Sequence, residues 1–554
     1  MAAQAIPAVT ESGQPVLILK EGTTQTKGRE AQRNNITAAK VVAEIIRTCL
    51  GPRGMDKMLI SSFGDATITN DGATILKEMD IQHPAAKMMV ETAKATDQEV
   101  GDGTTSVVVL AGALLEKAEA LIDKNVHPTL IVDGYSKAEE KALEFGRKIA
   151  IPVDPKDKGM LKKVAITSMA SKLVSENRDY LADLAVEAIL QVAQKTDEGY
   201  KVDIGDVKVE KKAGASITDT QLIRGVAVDK EVVHSGMPRR VEKAKIALLE
   251  SPLEIEKTEF DAKINIETPE QMKSFMDEET RIFKEMVDKI AATGANVVFC
   301  QKGIDDMAQH FLAKRSILAI RRVKQSDMEK LSKATGGRIV TSVDALTSAD
   351  LGSAELVEER KLGEDKWTFV EGCKNPKSLT ILVRGGTERV TDEAERSIHD
   401  ALSVVRDVVE NPKIVVGGGA FEAEVSTQLR NWAQTLTGRE QLAALDFADA
   451  LESIPLTLAE NAGADPLDIQ VELRSRHEKG EKWYGVDVFA GKVADLEKQE
   501  VLEPLRVKEQ IITSAHEAAA MILRIDDVIA ASKMKESTPP KGGGAGGEES
   551  SEFD

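Results

Sequence analysis

Apolar positions along this chain follow two textures. In the first they recur every three or four residues, the spacing of one helix face. Ile36, Ala39, Val42, Ala43, Ile46 and Leu50 form such a stripe, and the helix they predict stops at Gly51-Pro52. Pro84 to Val100 carries Ala85, Met88, Met89, Thr92, Ala93 and Thr96 at the same spacing, and Val107 to Lys124 carries Val109, Leu110, Ala113, Leu114 and Leu121. The whole region from Pro84 to Ile149 reads as nearly all helix and ends at Ile151-Pro152-Val153-Asp154-Pro155, a domain boundary. Ahead of it, Pro15 to Lys20 predicts a strand, and Met58–Ile60 with Ala66–Thr69 a hairpin around Gly64-Asp65. Asn70-Asp71-Gly72 is a tight turn into a short helix.

The second texture begins near Ala244. Ile246 to Leu249, Val297 to Phe299, Ile317 to Ile320 and Ile339-Val340 are compact apolar runs. Helices from Asp305 to Lys314 and from Asp327 to Thr335 separate the later ones, the alternation of a small α/β domain. Between the two textures, Leu161 to Gln194 reads as helix and is followed by short strands and loops at Gly199, Gly205 and Gly214. After Leu379 to Val383 and Gly385-Gly386 the helical texture returns and, interrupted at Val415-Val416-Gly417-Gly418-Gly419, continues to Ala531. Helix-rich sequence therefore flanks a mixed domain, which predicts nested insertion rather than beads on a string. The tail from Ser532, with Pro539-Pro540 and Gly542 to Gly547, cannot build a core and is expected to be disordered.

Composition narrows the function classes. A chain of 554 residues exceeds one core, so two to four domains are expected. A net charge of −19 argues against nucleic acid or an anionic membrane as partner. No apolar run approaches the ~20 residues of a membrane span, and Met1 to Thr10 lacks the pattern of a signal peptide. Cys49, Cys300 and Cys373 are odd in number and far apart, so neither a disulfide framework nor zinc spacing is present, and a reducing cytoplasm fits.

The richest local chemistry is Gly101-Asp102-Gly103-Thr104-Thr105-Ser106, between two predicted helices. Glycines on both sides of Asp102 allow a sharp turn and close approach of a bulky anion. Three hydroxyl residues open the next helix, whose unpaired N–H groups and positive dipole end would face that anion. A carboxylate beside a phosphate-friendly helix start suggests a bridging Mg²⁺. Taken alone, the hexapeptide is equally well an ordinary helix cap after a glycine turn. Commoner motifs fail. G-x-x-x-x-G-K-[ST] is missed by one residue at Gly485 to Gly491-Lys492, where Val493 replaces the hydroxyl. His477-Glu478 and His516-Glu517 lack the second histidine of H-E-x-x-H, and G-x-S-x-G does not occur. The G-x-G-x-x-G spacing at Gly542, Gly544 and Gly547 has no flanking strand or helix.

Three glycine-flanked carboxylate elements fall within sixty residues: Leu50-Gly51-Pro52-Arg53-Gly54-Met55-Asp56, Thr69-Asn70-Asp71-Gly72-Ala73-Thr74, and the hexapeptide. With Arg384-Gly385-Gly386-Thr387, Glu395 to Ala401, Gly417-Gly418-Gly419 and Glu503 to Lys508, they closely resemble group II chaperonins, the archaeal thermosome and its eukaryotic cytosolic relatives. The resemblance spans essentially the whole chain. It implies a multidomain α+β fold with a helix-rich equatorial ATP-binding domain split between residues 1–157 and 413–531. A small intermediate domain would comprise 158–225 and 378–412, and an α/β apical substrate-binding domain 226–377, with a lid-like protrusion at about 254–277 and a Gly-rich acidic tail at 532–554.

For individual residues the resemblance implies that Leu50, Gly51 and Pro52 line the nucleotide, Asp102 holds Mg²⁺, and Gly103, Thr104, Thr105 and Ser106 hold the phosphates of ATP. Asp71 would lie near the γ-phosphate, Asp400 would reach it from another domain to orient or deprotonate water, and Lys172 would sense it. Gly418 would contact the nucleoside and Glu503 the ribose, with Asp487 a second ribose candidate. Outside the family, Asp71 would read as a turn former, Asp400 as a solvated helix carboxylate and Lys172 as a surface charge. Ile255, Phe260, Ile264, Ile266, Met272, Phe275 and Met276 would belong to the lid. Met307, Ala308, Phe311 and Leu312 would form either a face for unfolded polypeptides or part of the α/β core. The implied partners are non-native polypeptides and identical or paralogous subunits in two stacked rings of eight or nine, in the cytoplasm, with neither nucleic acid nor membrane. A passive holding protein is disfavoured by the three carboxylates, and a small-molecule kinase by the lid-like segment.

Overall fold

Short strand pairs bring distant stretches of the chain together in the computed structural model, which describes residues 7–9, 15–17, 24–61, 64, 66–171, 177–197, 199–255, 268–373 and 377–530. Lys172, positions 256–267 of the lid-like segment and the tail from Ser532 lie outside these residues. Thr24–Lys27 pairs antiparallel with Asp527–Ala530. Inside that closure, Ile151–Pro152 pairs antiparallel with Lys413–Val416, which also pairs with Leu502–Pro504. Further inside, Val207–Ala213 runs parallel to Leu379–Gly385, which takes Gln221–Ile223 antiparallel on its other edge. Each closure encloses the next, so the middle of the chain is inserted between its two ends. The fold is multidomain α+β.

The ends share one helical core. At its centre lies the helix Thr104–Asp123, buried at Val107 through Gly112 and again at Leu114, Leu115, Ala118, Leu121 and Ile122. A helix apolar on nearly all sides must be covered on all sides. The helices Gly28–Arg47, Pro84–Val100, Arg439–Leu451 and Leu505–Leu523 do this. Gly112 faces Ala43 so closely that a methyl group there would overlap it, which is how the Gly28–Arg47 helix comes so near. The region read as one helix from Leu161 to Gln194 is two, Lys158–Met169 and Arg178–Val192. The helix Glu388–Glu410 packs on both and also reaches Pro84–Val100 and Leu505–Leu523.

The insertion is built on a seven-stranded sheet with Gly225–Val228, Asp365–Glu371, Gly352–Leu362, Arg240–Leu249, Val297–Cys300 and Leu318–Ile320 in spatial order. Ile339–Val340 joins the far end of the long strand Arg240–Leu249 in parallel. Alternate residues of the central strands feed two cores. Ile246, Leu248, Val297 and Phe299 pack with Met328 and Leu331 of the helix Gln325–Thr335. Ala247, Leu249, Val298 and Cys300 pack with Phe283, Val287 and Ile290 of Pro269–Ala292 and with Ala308 and Leu312 of Asp306–Lys314. Burial on both faces explains the unbroken apolar runs in the sequence.

Candidate functional site

A cavity of about 440 Å³ opens where the two helical ends of the chain meet the helix Glu388–Glu410. One wall is the loop after the helix Gly28–Arg47. Leu50, Gly51 and Pro52 line the cavity there, and Gly51 takes a left-handed φ of 81°. Leu458 packs against Gly51 where a side chain would otherwise project. Asn461 donates to the carbonyls of Arg47, the last residue of that helix, and of Leu50 in the loop at 3.1 and 2.9 Å.

A second wall is the glycine-flanked turn. Gly101 ends the helix Pro84–Val100 with φ 68°, and Gly103 occupies the N-cap of Thr104–Asp123 with φ 78°. Both positions need glycine's tolerance of the left-handed region. At Gly103 a methyl group would also sit 2.6 Å from Cδ1 of Ile511. Because the N-cap is glycine, it brings no side chain to occupy the first N–H groups of the helix, and Thr105 and Ser106 line the cavity at that end. Asp102 lines it too, its Oδ1 accepting from the Gly103 N–H at 2.6 Å.

Asp71 is both turn former and cavity residue. Its Oδ2 accepts from the N–H and hydroxyl of Thr74 at 2.8 and 2.6 Å, capping the helix Gly72–Glu78. Its Oδ1 accepts from the Thr104 hydroxyl at 3.1 Å, so Thr104 orients this carboxylate across the gap between the two helices. Asn70 donates to the carbonyl of Ser171, and Thr167, Ser168, Ala170 and Ser171 line the cavity just ahead of Lys172. Asp400 enters from the far side of the insertion, on the helix Glu388–Glu410.

The opposite end holds Gly418, Asp487 and Glu503. Gly418 and Gly419 have φ of 64° and 81°, and the Gly418 carbonyl accepts from the Val486 N–H at 2.9 Å. Asp487 accepts from the N–H groups of Phe489 and Ala490 at 3.0 Å each and from Gln499 at 2.9 Å. Burial opposes its charge, but these donors and Lys492 hold its carboxyl below the ordinary aspartate value. Glu503 pairs with Lys508 at 2.5 Å, and Lys508 pairs with Glu422 at 2.9 Å. Burial works against the ammonium charge of Lys508, yet the two carboxylates outweigh it and raise its pKa. Ile454, Leu458, Val486, Leu496 and Ile511 supply the apolar lining.

Every candidate named from the sequence for nucleotide, magnesium or catalysis thus borders this cavity except Lys172, which lies outside the described residues. Lys508 was a missed member: it stood within the Glu503 to Lys508 motif, but its pairing with Glu422 is visible only in three dimensions. Among the described residues no three histidine, cysteine, aspartate or glutamate side chains form a cage for a metal ion. Carboxylates and hydroxyls beside a helix N-terminus suit instead a hard cation held by one or two carboxylates and by phosphate oxygens, the manner of Mg²⁺.

Residues 42–533 match the profile of the TCP-1/cpn60 chaperonin family. Thermosome subunit alpha of Archaeoglobus fulgidus is 59% identical over 94% of this chain and 95% of its own length. The thermosome subunit of Methanopyrus kandleri is 60% identical over 93% of this chain and 95% of its own length. For thermosome subunit beta of Thermococcus kodakarensis the figures are 59%, 93% and 95%.

Proposed function

This chain belongs to the TCP-1/cpn60 chaperonin family, and from that premise we propose how the residues of its cavity divide the work of ATP hydrolysis. The chain is an ATP-dependent chaperonin subunit. It hydrolyses ATP, assembles with like subunits into rings, and encloses non-native polypeptides on closure of a lid.

Leu50, Gly51, Pro52 and Gly418 border the nucleoside, and Glu503 accepts from the ribose hydroxyls. Asp487 is the second ribose candidate, since three donors already hold its oxygens. Gly103, Thr105, Ser106 and the helix N-terminus bind the phosphates, while Thr104 serves chiefly to aim Asp71. Asp102 holds the magnesium ion, which when bound neutralises charge on the phosphate oxygens. Asp71 and Asp400 flank the γ-phosphate. They orient the attacking water and Asp400 accepts its proton as the new P–O bond forms and the bond to the β-phosphate oxygen breaks. Lys172 senses the γ-phosphate as a point charge.

The observation that carries this reading is that Asp71 and Asp102, before the insertion, and Asp400, after it, border one cavity with an open helix start. Hydrolysis then needs parts of the chain on both sides of the insertion to be in place, which ties chemistry to a domain movement. We assign residues 1–157 and 413–531 to the equatorial domain, 158–225 and 378–412 to the intermediate domain, and 226–377 to the apical domain. In the helix Pro269–Ala292 only the second half packs on the sheet, while Met272, Phe275 and Met276 are 51%, 42% and 58% exposed. A partly exposed apolar stripe of this kind supports the lid reading for 254–277. Ala308 and Leu312 are buried and Phe311 half-buried, so the face offered to clients from that helix narrows to Met307. Two rings of eight or nine subunits in the cytoplasm complete the proposal.

Asp400→Ala tests the site. Steady-state phosphate release should fall by ~100-fold or more while ATP affinity by calorimetry is largely kept. Near-normal turnover would remove Asp400 from the mechanism.

A further inference from the structure

We propose that Arg406 is a positioning residue for ATP hydrolysis. From the helix that carries Asp400, it caps the helix that leads into Asp102 and so holds the two carboxylates in register across the cavity. The inference rests on the assignment of Asp102 and Asp400 to one nucleotide.

Asp400, Ser403 and Arg406 are spaced by three on the helix Glu388–Glu410, so they follow one another along one side of it. What they meet is the end of the helix Pro84–Val100 and the turn beyond. Asp400 borders the cavity with Asp102. Ser403 lies against Gly101 so tightly that a methyl group on Gly101 would overlap its Cβ and Oγ. Arg406 donates from Nη2 to the Glu99 carbonyl at 2.5 Å. That carbonyl is among the last four of its helix, which have no partner within the helix, and a cation there also meets the negative end of the dipole.

The guanidinium is itself held. Its Nε and Nη2 donate to Oδ1 of Asp407 at 3.0 and 2.7 Å, and the Asp407 side chain is fully buried. A second arginine, Arg506, pairs with the Glu99 carboxylate at 2.6 Å and lies 3.6 Å from Glu410, a more exposed tie at the same joint. Within the turn the Asp102 carboxylate accepts from the Gly103 N–H at 2.6 Å, and Gly101 and Gly103 on either side both sit at positive φ. The turn as a whole is placed against the helix Glu388–Glu410 at its Gly101 end, where Ser403 packs and Arg406 bonds the Glu99 carbonyl from Asp400's own helix.

A displacement of ~1 Å at a reacting centre can cost up to ~100-fold in rate. In Arg406→Ala, kcat should fall at least ~10-fold while KM and the calorimetric Kd for ATP stay within ~3-fold. Amides of residues 100–106 should exchange hydrogen faster in the nucleotide-free protein, and Arg406→Lys, which keeps a donor and a charge, should recover part of both. An assembled Arg406→Ala ring with unchanged kcat, or with kcat and ATP affinity lost together, overturns the proposal. If Arg406→Ala does not assemble, Arg406→Gln decides: its shorter amide cannot hold both the Glu99 carbonyl and Asp407, so kcat should fall with ATP affinity kept, and an unchanged kcat in the assembled ring overturns the proposal. Asp400→Ala is measured alongside. Loss of turnover there with normal turnover in Arg406→Ala refutes the positioning role alone, whereas normal turnover in Asp400→Ala refutes the reading of the site and the inference with it.

Discussion

Lys508→Met isolates the buried charge cluster at the Glu503 end of the cavity. The Lys508 side chain is 6% exposed and meets Glu422, 2% exposed, at 2.9 Å and Glu503, 24% exposed, at 2.5 Å. Methionine fills nearly the same volume, so packing is largely conserved and the change is electrostatic. Glu503 can turn toward the cavity, but Glu422 cannot reach water, and its Oε2 already has no hydrogen-bond partner among the described residues. Removing one partner of a buried pair costs ~3–5 kcal/mol, because the other charge is left uncompensated. For a cooperative unit of roughly 250 residues, at about 2.1 cal/mol/K per residue, that is a drop of ~6–10 °C in Tm. Differential scanning calorimetry of the nucleotide-free protein reads it. Lys508→Met/Glu422→Gln, which removes the uncompensated charge, should recover most of the deficit. A Tm within ~2 °C of the parent at neutral pH would show that the cluster is not charge-paired in solution, and the reasoning fails.

Asp407 predicts a pH dependence: burial pushes its carboxyl up to about 7 against the pull of Arg406 and Arg506, so the folded protein holds a proton that the unfolded chain releases near pH 4. Stability should therefore fall by ~1.4 kcal/mol per pH unit from this group between about pH 4 and 7 and level off above, and Asp407→Asn should remove that slope in Tm measured against pH. An unchanged slope would place the titration elsewhere. Replacing residues 254–277 with a short Gly/Ser link should leave ATP turnover present, since none of the cavity residues lies within it. A captured client should then stay protease-accessible after ATP is added; protection as complete as in the parent would mean that this segment is not the lid.

The carboxylates of the cavity were legible because each stands beside glycines in a short stretch: Asp71 before Gly72, Asp102 between Gly101 and Gly103. Local chemistry of that kind survives in a linear reading. The nested insertion was legible too, since helical and alternating textures change abruptly. What could not be read was set by partners distant in sequence. Asn461 holds the 50–52 loop through the carbonyls of Arg47 and Leu50, and Glu422 reaches Lys508 across 86 positions. The antiparallel strands Gly352–Leu362 and Asp365–Glu371 escaped notice because Glu358-Glu359-Arg360-Lys361 looks like a solvated run. In the sheet Glu358, Glu359 and Arg360 are paired: Arg360 bonds Glu371 at 2.6 and 2.8 Å and lies over the Phe369 ring at 4.9 Å. Cross-strand partners let charged residues occupy a strand that periodicity alone assigns to a loop.

On the proposed assignment of the site, the same nesting would carry a small movement at the nucleotide to the lid. The strand Leu379–Gly385 pairs with Val207–Ala213 on one edge and Gln221–Ile223 on the other, so a single small sheet clasps the chain on both sides of the insertion. Beyond Gly386, Thr387 accepts from the Val390 N–H at 3.3 Å and starts the helix that bears Asp400. Sheet and helix are thus joined by only two residues. At 1.5 Å per residue, the helix start at Glu388 lies about 27 Å from Arg406 and Asp400 about 9 Å. With Arg406 as the fixed point, a rotation that shifts Asp400 by ~1 Å moves the sheet end of the helix by ~3 Å, and the insertion beyond it by more. If Asp400 takes the proposed role, chemistry tolerates little error there, while the exposed stripe at Met272, Phe275 and Met276, as the proposed lid, would have to travel far to meet its neighbours. On the proposed reading, a long rigid helix pivoted near Asp400 would meet both demands, and a shorter arm or a pivot at the sheet would meet only one.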